Sequence, residues 1–196
     1  SSLVGSEMCI RDSQTHHLLE LIIVNDGSTD GAIEQLVTDD RVLCVDSPGN
    51  GIVPALNHGI AVAQYPYIAR MDGDDIAAPT RLATQLAYLQ QNPEIAIAGA
   101  KVRLFADEGE LGGGYALYQT WINQQCTPQA IQRSMFVESC IPHPTAMFHR
   151  DVIDALGGYH DTPWPEDYDL WCRAHLRGYQ FGKPDPEALL LSLIHI

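Results

Sequence analysis

Basic residues are scarce in this sequence. Eleven lysines and arginines stand against 25 aspartates and glutamates, and the formal net charge is -14. Nonspecific binding to nucleic acid depends on basic side chains that neutralise phosphates, so this composition excludes that class of protein. We expect no nucleic-acid partner, and an anionic ligand would need a metal ion or local dipoles to hold it.

Long apolar runs and paired cysteines are also lacking. No run of about 18 apolar residues occurs, so the sequence encodes no membrane-spanning helix. The five cysteines are scattered and never spaced as C-x-x-C, which excludes a disulfide framework and a zinc site. Free cysteines usually behave as small buried hydrophobic residues. Their pattern here indicates a reducing, cytosolic setting.

The length favours one domain. A chain of 196 residues with 45% hydrophobic content can bury a sizeable core. The ends "SSLVGSEMCIRDS" and "LSLIHI" have no periodicity in common with their neighbours, and both resemble translated sequencing adaptors. We therefore expect a gene fragment whose native sequence runs over residues 14–191, with residues 1–13 and 192–196 as non-native ends.

Strand and helix patterns alternate along the first half. The run at 18–24 predicts a buried strand that enters the turn-rich segment "NDGSTDG". The alternation predicts an α/β fold with a mainly parallel sheet and helices on both faces, and ligands of such sheets bind beyond the carboxyl ends of the strands. The next predicted elements are a short helix at 32–37, a strand at 41–46, a helix at 51–63 with Pro54 in its first turn, a strand at 65–72, a helix opened by Pro79 and ended by Asn92, and a strand at 94–105.

The second half is less regular. A helix is predicted after Thr127, which would cap it, with Pro128 at its first position. "PTAMF" predicts a short strand, and residues 166–178 predict a helix with acidic residues at its start and basic residues toward its end.

The segment "MDGDD" follows a predicted strand. If the strand continues through it, Asp72 and Asp74 point the same way and can face one Mg²⁺ or Mn²⁺ ion, with Gly73 allowing close approach. A solvated acidic turn is the alternative. Calcium fits poorly, because Ala77 stands where an EF-hand loop needs glycine.

Two further acidic segments permit more than one interpretation. Asp26 and Ser28 in "NDGSTDG" can cap a turn and a helix, and this role is compatible with ligand binding. Val37 at the twelfth position argues against calcium here. Glu166 and Asp167 start a predicted helix, where they would either interact with the helix dipole or include a general base for a hydroxyl nucleophile.

Four segments together resemble the bacterial family 2 glycosyltransferases, which have the GT-A fold: "ELIIVNDGSTD", "YIARMDGDDIAAPTRLATQLAYL", "IPHPTAMFHRDVIDALGGYHD" and "PEDYDLWCRAHLRGYQF". The resemblance implies that Asp26, Gly27 and Ser28 bind the nucleotide of a nucleotide-diphosphate sugar. Asp72 would lie near the ribose and the ion, and Asp74 would ligate the Mn²⁺ or Mg²⁺ that bridges the diphosphate.

The resemblance also implies roles on the acceptor side. Asp167 would be the catalytic base, with Glu166 beside it. His143 matches a family position near the substrate cleft, although it could instead anchor a loop. Trp164 could stack on a sugar.

The implied reaction is an inverting sugar transfer in cell-surface polysaccharide or lipopolysaccharide synthesis. A uridine donor is the first expectation, and the acceptor would be a saccharide or a lipid-linked saccharide. The protein would work in the cytoplasm, with the inner face of the membrane as an option. The alternatives are a sugar-1-phosphate nucleotidyltransferase, which would normally have a glycine-rich basic loop that is not visible here, and a noncatalytic sugar-binding module of the same fold.

The family's first apolar strand is lacking here, and "SSLVGSEMCIRDS" stands in its place. This strand pairs in the middle of the family's sheet. Its loss would leave two strand edges unpaired.

Overall fold

The computed structural model describes residues 13–31, 33, 40–106 and 112–184, together with the strand at 189–194. The strands in this part of the chain are β1 Leu21–Asn25, β2 Val42–Asp46, β3 Tyr67–Ala69, β4 Ile76–Ala77, β5 Ile95–Ala98, β6 Lys101–Ala106, β7 Met147–His149, β8 Gln180–Gly182 and β9 Leu189–Ile194. The helices are α1 Ile52–Val62, α2 Arg81–Gln91, α3 Gly113–Gln124, α4 Pro128–Ser134, α5 Arg150–Leu156 and α6 Glu166–Leu176, and a 3₁₀ turn covers His143–Thr145.

The strands form three hydrogen-bonded groups: β1 with β2, then β3, β7, β5 and β8 in that order, and β4, β9 and β6. This architecture confirms the α/β prediction. The described sheets contain both kinds of strand pair, and most of their paired residues belong to parallel pairs. β1 with β2, β5 with β8 and β6 with β9 are parallel, whereas β7 runs antiparallel to both β3 and β5, and β4 runs antiparallel to β9.

β1 and β3 border a common cavity. Among the described strands, β1 pairs with β2 and β3 pairs with β7, so each has one edge without a strand beside it in that part of the chain. Both strands line a cavity of about 360 Å³, which α1 also lines. The predicted lack of the family's first strand concerns residues 1–13, of which the structure describes only residue 13, so it stays a prediction.

Local signals predicted several elements well. Pro54 lies in the first turn of α1, and the Thr127 hydroxyl accepts a 3.2 Å hydrogen bond from the Ala130 amide at the start of α4. α6 begins at Glu166 as predicted, with acidic residues in its first turn and basic residues in its last. The predicted helix at 32–37 lies outside the described residues except for residue 33.

Two predicted details were wrong. Pro79 does not open α2, because Thr80 is its N-cap and the helix begins at Arg81. The single strand predicted over 94–105 is two strands, β5 and β6, which belong to different sheets. The break falls at Gly99, where a side chain would lie 2.9 Å from Ile141 and the backbone amide donates to the Gly182 carbonyl.

The main core joins the four-stranded sheet to α4, α5 and α6. Trp171 of α6 is 1% exposed and meets Phe181 of β8 edge to face. A second cluster lies under α2, where Leu89 is buried and Leu82 and Leu86 pack beside it, as their helical spacing predicted. In the part of the chain that the structure describes, no helix combines the length and apolar character needed to cross a bilayer.

Candidate active site

The acidic segment after β3 is a turn. The Asp75 amide donates to the Asp72 carbonyl at 3.3 Å, which closes a four-residue turn. The sequence argument that Asp72 and Asp74 alternate along an extended strand was therefore wrong. Both side chains are partly exposed all the same, so the turn presents two carboxylates at one place on the surface.

Arg70 supplies a positive partner that the sequence analysis missed. Its Nη2 lies 2.5 Å from Asp72 Oδ1, and the arginine side chain is only 11% exposed, against 42% for the aspartate. The residue stands two positions before Asp72, so a search for a basic neighbour of the acidic turn would have found it. The pair lowers the repulsion among the clustered carboxylates.

Two buried polar residues of α2, Arg81 and Gln85, hold the backbone next to the acidic turn. Arg81 Nη2 donates to the carbonyl oxygens of Arg70 at 2.7 Å and Pro144 at 2.9 Å, and Arg81 Nε donates to Gln85. Gln85 Nε2 in turn donates to the Thr145 carbonyl at 2.8 Å. Burial lowers the pKa of Arg81 to about 10. Arg81 and Gln85 therefore connect Arg70, just before the acidic turn, to the 3₁₀ turn that contains His143.

We expect Arg81→Met to lower the free energy of unfolding by about 3 kcal/mol, because it leaves buried carbonyls unpaired and removes a positive charge near buried Asp75. Arg133→Met is the control, since Arg133 is exposed and should change stability by less than about 0.5 kcal/mol. Urea unfolding of both variants measures the difference, and equal stabilities would contradict the role of Arg81.

The loop after β1 is closed by its own side chains. Asp26 accepts from the Gly51 amide at 2.9 and 3.2 Å through its two carboxylate oxygens, and Asn25 Oδ1 accepts from the Ser28 amide at 2.8 Å. Gly27 has a φ of 83°, a conformation that glycine adopts without strain. Asp26, Gly27 and Ser28 are all exposed, and the loop abuts the start of α1.

Asp167 lies in the first turn of α6. Burial raises its pKa, and the neighbouring charge of Glu166 adds to the rise, whereas backbone amides and Arg70 oppose it. A carboxylate with a raised pKa is a better proton acceptor than an ordinary aspartate near neutral pH.

His143, Glu166 and Asp167 form a cluster, with one ligand-type atom of each residue within 4.8 Å of the others. His143 Nδ1 is 3.4 Å from Glu166 Oε1, and burial lowers the pKa of His143 to about 3. His143 and Asp167 line a cavity of about 500 Å³. The structure thus places an ionisable carboxylate and an imidazole at the wall of one pocket.

Arg70 links this cluster to the acidic turn. Its charge lowers the pKa values of both Asp167 and His143 while it pairs with Asp72. The structure therefore brings Asp72, His143, Glu166 and Asp167 into one electrostatic neighbourhood. The predicted nucleotide residues lie on the separate loop against Gly51.

Trp164 is 55% exposed just before α6, and its indole Nε1 donates to Asp169 Oδ1 at 3.4 Å. Trp171 is a core residue with 1% exposure. Trp164 therefore has the exposure that stacking on a sugar requires.

The mixed α/β fold is that of the GT-A class of proteins. Residues 9–157 match the family model described as Glycosyl transferase family 2, and the chain belongs to this family. It is 33% identical to the bifunctional glycosyltransferase pgtA of Dictyostelium discoideum, over 82% of this chain and 25% of that protein. It is also 33% identical to the O-antigen biosynthesis glycosyltransferase WbnJ of Escherichia coli, over 82% of this chain and 62% of that protein.

Solved structures agree on the fold. The mannosyltransferase PcManGT from Pyrobaculum calidifontis, in complex with GDP-Man and Mn²⁺, superposes with a TM-score of 0.71 at 19% identity, over 97% of this chain and 52% of that one. S. aureus TarS 1-349 in complex with UDP-GlcNAc gives 0.73 at 14% identity, over 98% and 54%. The chain thus spans less than two thirds of the length of these relatives and structures.

Proposed function

We propose that this domain, which we assign to residues 14–191, transfers a sugar from a nucleotide-diphosphate sugar to an acceptor hydroxyl with inversion at the anomeric carbon. One observation carries the proposal. Asp167, whose pKa is raised by burial, lines a pocket beside Glu166 and His143, and Arg70 connects this pocket to the acidic turn.

The acidic turn fits a divalent metal ion. Asp72 and Asp74 offer hard carboxylate oxygens from one turn, and both side chains are partly exposed, a donor set that suits Mn²⁺ or Mg²⁺. When bound, the ion would supply stabilisation of the charge that develops on the leaving diphosphate. Arg70 keeps Asp72 in place and adds positive charge on the side of the pocket.

The loop at Asp26, Gly27 and Ser28 would hold the nucleotide. It is exposed, its backbone is fixed by the bonds to Gly51 and Asn25, and it follows a strand of the sheet, where α/β proteins bind nucleotides. Asp72 would contact the ribose from the other side.

Asp167 would act as the general base. It accepts the proton of the acceptor hydroxyl while that oxygen bonds to the anomeric carbon, and the bond from the anomeric carbon to the diphosphate oxygen breaks on the opposite face. The products are the new glycoside and a nucleoside diphosphate. Glu166 and Trp164 would bind the acceptor, and His143 lies at the same wall of the pocket.

The similarities narrow the substrate classes. The neighbours in complex with GDP-Man and UDP-GlcNAc support a nucleotide-sugar donor, and we take a uridine donor first. Relatives named for O-antigen and amylovoran biosynthesis support a saccharide or lipid-linked saccharide acceptor in cell-surface polysaccharide synthesis. This chemistry would take place in the cytoplasm, at the inner face of the membrane where the acceptor is lipid-linked.

A donor screen tests the function in the protein that carries this domain. We expect release of nucleoside diphosphate from one class of nucleotide sugar, dependent on Mn²⁺ or Mg²⁺ and on an added saccharide acceptor. Diphosphate formation from a nucleoside triphosphate and a sugar 1-phosphate would indicate a nucleotidyltransferase instead. Tight donor binding without transfer to any acceptor would indicate a noncatalytic module.

A further inference from the structure

The imidazole of His143 is held by contacts on several sides. The residue is 8% exposed, its Nε2 lies 2.9 Å from the Tyr159 hydroxyl, and its Nδ1 lies 3.4 Å from Glu166 Oε1. The ring also packs edge to face on Trp171, with 6.1 Å between the ring centroids. Both ring nitrogens therefore face side chains, and the ring orientation is fixed by packing.

The partners determine which nitrogen carries the proton. A neutral histidine has one N–H, and an ionised carboxylate can only accept. The proton must then lie on Nδ1, facing Glu166, and Nε2 must accept from the Tyr159 hydroxyl. Burial raises the pKa of Tyr159, so this hydroxyl keeps its proton and remains a donor.

Tyr159 itself is anchored to α1. The Asn57 side chain accepts from the Tyr159 amide and donates to the Tyr159 carbonyl, both at 2.9 Å. The preceding residue, Gly158, has a φ of 77°, and a side chain there would lie 2.7 Å from Asn57 Oδ1. Arg173 of α6 donates to the Gly158 carbonyl at 2.8 Å. Two helices thus hold the backbone that carries the Tyr159 hydroxyl.

We propose that His143 and Tyr159 are positioning residues that orient Glu166 for the acceptor. They act through a chain of contacts in which the Tyr159 hydroxyl is hydrogen-bonded to His143 Nε2 and His143 Nδ1 lies 3.4 Å from the Glu166 carboxylate. The inference rests on the proposed function, in which Glu166 binds the acceptor. These contacts hold the Glu166 carboxylate beside Asp167 and restrict its rotamers, so an acceptor hydroxyl would meet a preorganised partner.

The first test is independent of activity. ¹⁵N NMR of the histidine rings at neutral pH, with the His143 signal assigned through His143→Asn, should show His143 as the neutral tautomer protonated at Nδ1. A tautomer protonated at Nε2, or a doubly protonated ring, would overturn the chain because Nε2 could then not accept from Tyr159.

The second test separates positioning from packing. His143→Gln, which has no donor at the Nδ1 position, should raise the acceptor KM about 10-fold. His143→Asn, whose amide nitrogen replaces Nδ1, should stay within about threefold of the parent, and Tyr159→Phe should fall between the two. Donor affinity should remain unchanged in all three. Tyr67→Phe is the matched control, since Tyr67 packs on His149 with 5.2 Å between the ring centroids and should leave the acceptor KM unchanged.

A double-mutant cycle identifies the residue through which the chain acts. In a Glu166→Gln background, His143→Gln should cost nothing further in acceptor KM, because its target carboxylate is gone. The same 10-fold loss in both backgrounds would overturn the proposal, as would a similar loss in His143→Asn and His143→Gln. A parent that transfers no sugar would count against the proposed function, and the ring tautomer would then test the chain of contacts by itself.

Discussion

Asp74→Asn should abolish metal-dependent transfer and leave the fold intact. The substitution is nearly isosteric and removes one negative charge from the turn that we propose as the metal site. Because Asp74 is partly exposed, its loss should change the free energy of unfolding by less than about 1 kcal/mol. Loss of a hard anionic ligand weakens binding of Mn²⁺ or Mg²⁺ directly.

Two measurements check this result: transfer over a range of Mn²⁺ concentrations, and Mn²⁺ binding in the presence of the nucleoside diphosphate by electron paramagnetic resonance. Asp151→Asn is the control, because the Asp151 side chain is 83% exposed and lies on α5. Wild-type transfer by Asp74→Asn in Mn²⁺ would show that the metal binds elsewhere.

The parts of the fold that follow from local sequence signals were predicted well. The Thr127 cap, Pro54 in the first turn of α1 and the acidic start of α6 each depend on residues within one helical turn of each other. Such signals need no knowledge of the rest of the chain. The break at Gly99 was missed because its cause, the close approach of Ile141, is a contact across the fold.

The apolar periodicity of α2 predicted only some of the residues that this helix buries. Leucines at helical spacing predicted one apolar stripe, and Leu89 is indeed buried. Arg81 and Gln85 are buried on the same helix at 1% and 0% exposure. A polar residue that is buried to bond distant carbonyls has the same sequence signature as an exposed one, so apolar periodicity cannot reveal it.

In the candidate site, too, local motifs could be predicted from the sequence and long-range contacts could not. The acidic residues could be selected from motifs in the sequence, whereas their partners could be found only in three dimensions. Asn57 and Tyr159 are 102 residues apart and exchange two hydrogen bonds, and nothing in either segment indicates the other. Arg70 is the exception, since its place two residues before Asp72 was visible in the sequence.

We expect Asp167→Asn to lower transfer by about 10²-fold or more and to leave donor binding near normal, because general-base catalysis contributes roughly 10²–10⁴-fold and acts on turnover. The pH profile should change as well. Asp167 works only when deprotonated, and burial raises its pKa above the ordinary value for an aspartate. The parent rate should therefore fall as the pH falls through that raised pKa, and this acidic limb should be absent from the residual activity of Asp167→Asn.

Glu166→Gln provides a second test of the pH profile, because it should shift the acidic limb of the transfer rate and not remove it. The Glu166 charge contributes to the raised pKa of Asp167, so its removal should move the acidic limb to lower pH. Asp161→Asn, an exposed acid in the loop before α6, should leave both the rate and the limb unchanged. Calorimetric donor titrations beside the transfer assay distinguish the outcomes. Equal transfer by Asp167→Asn and the parent would remove Asp167 from the chemistry, and loss of donor binding in step with transfer would mean that the carboxylate shapes the donor pocket instead.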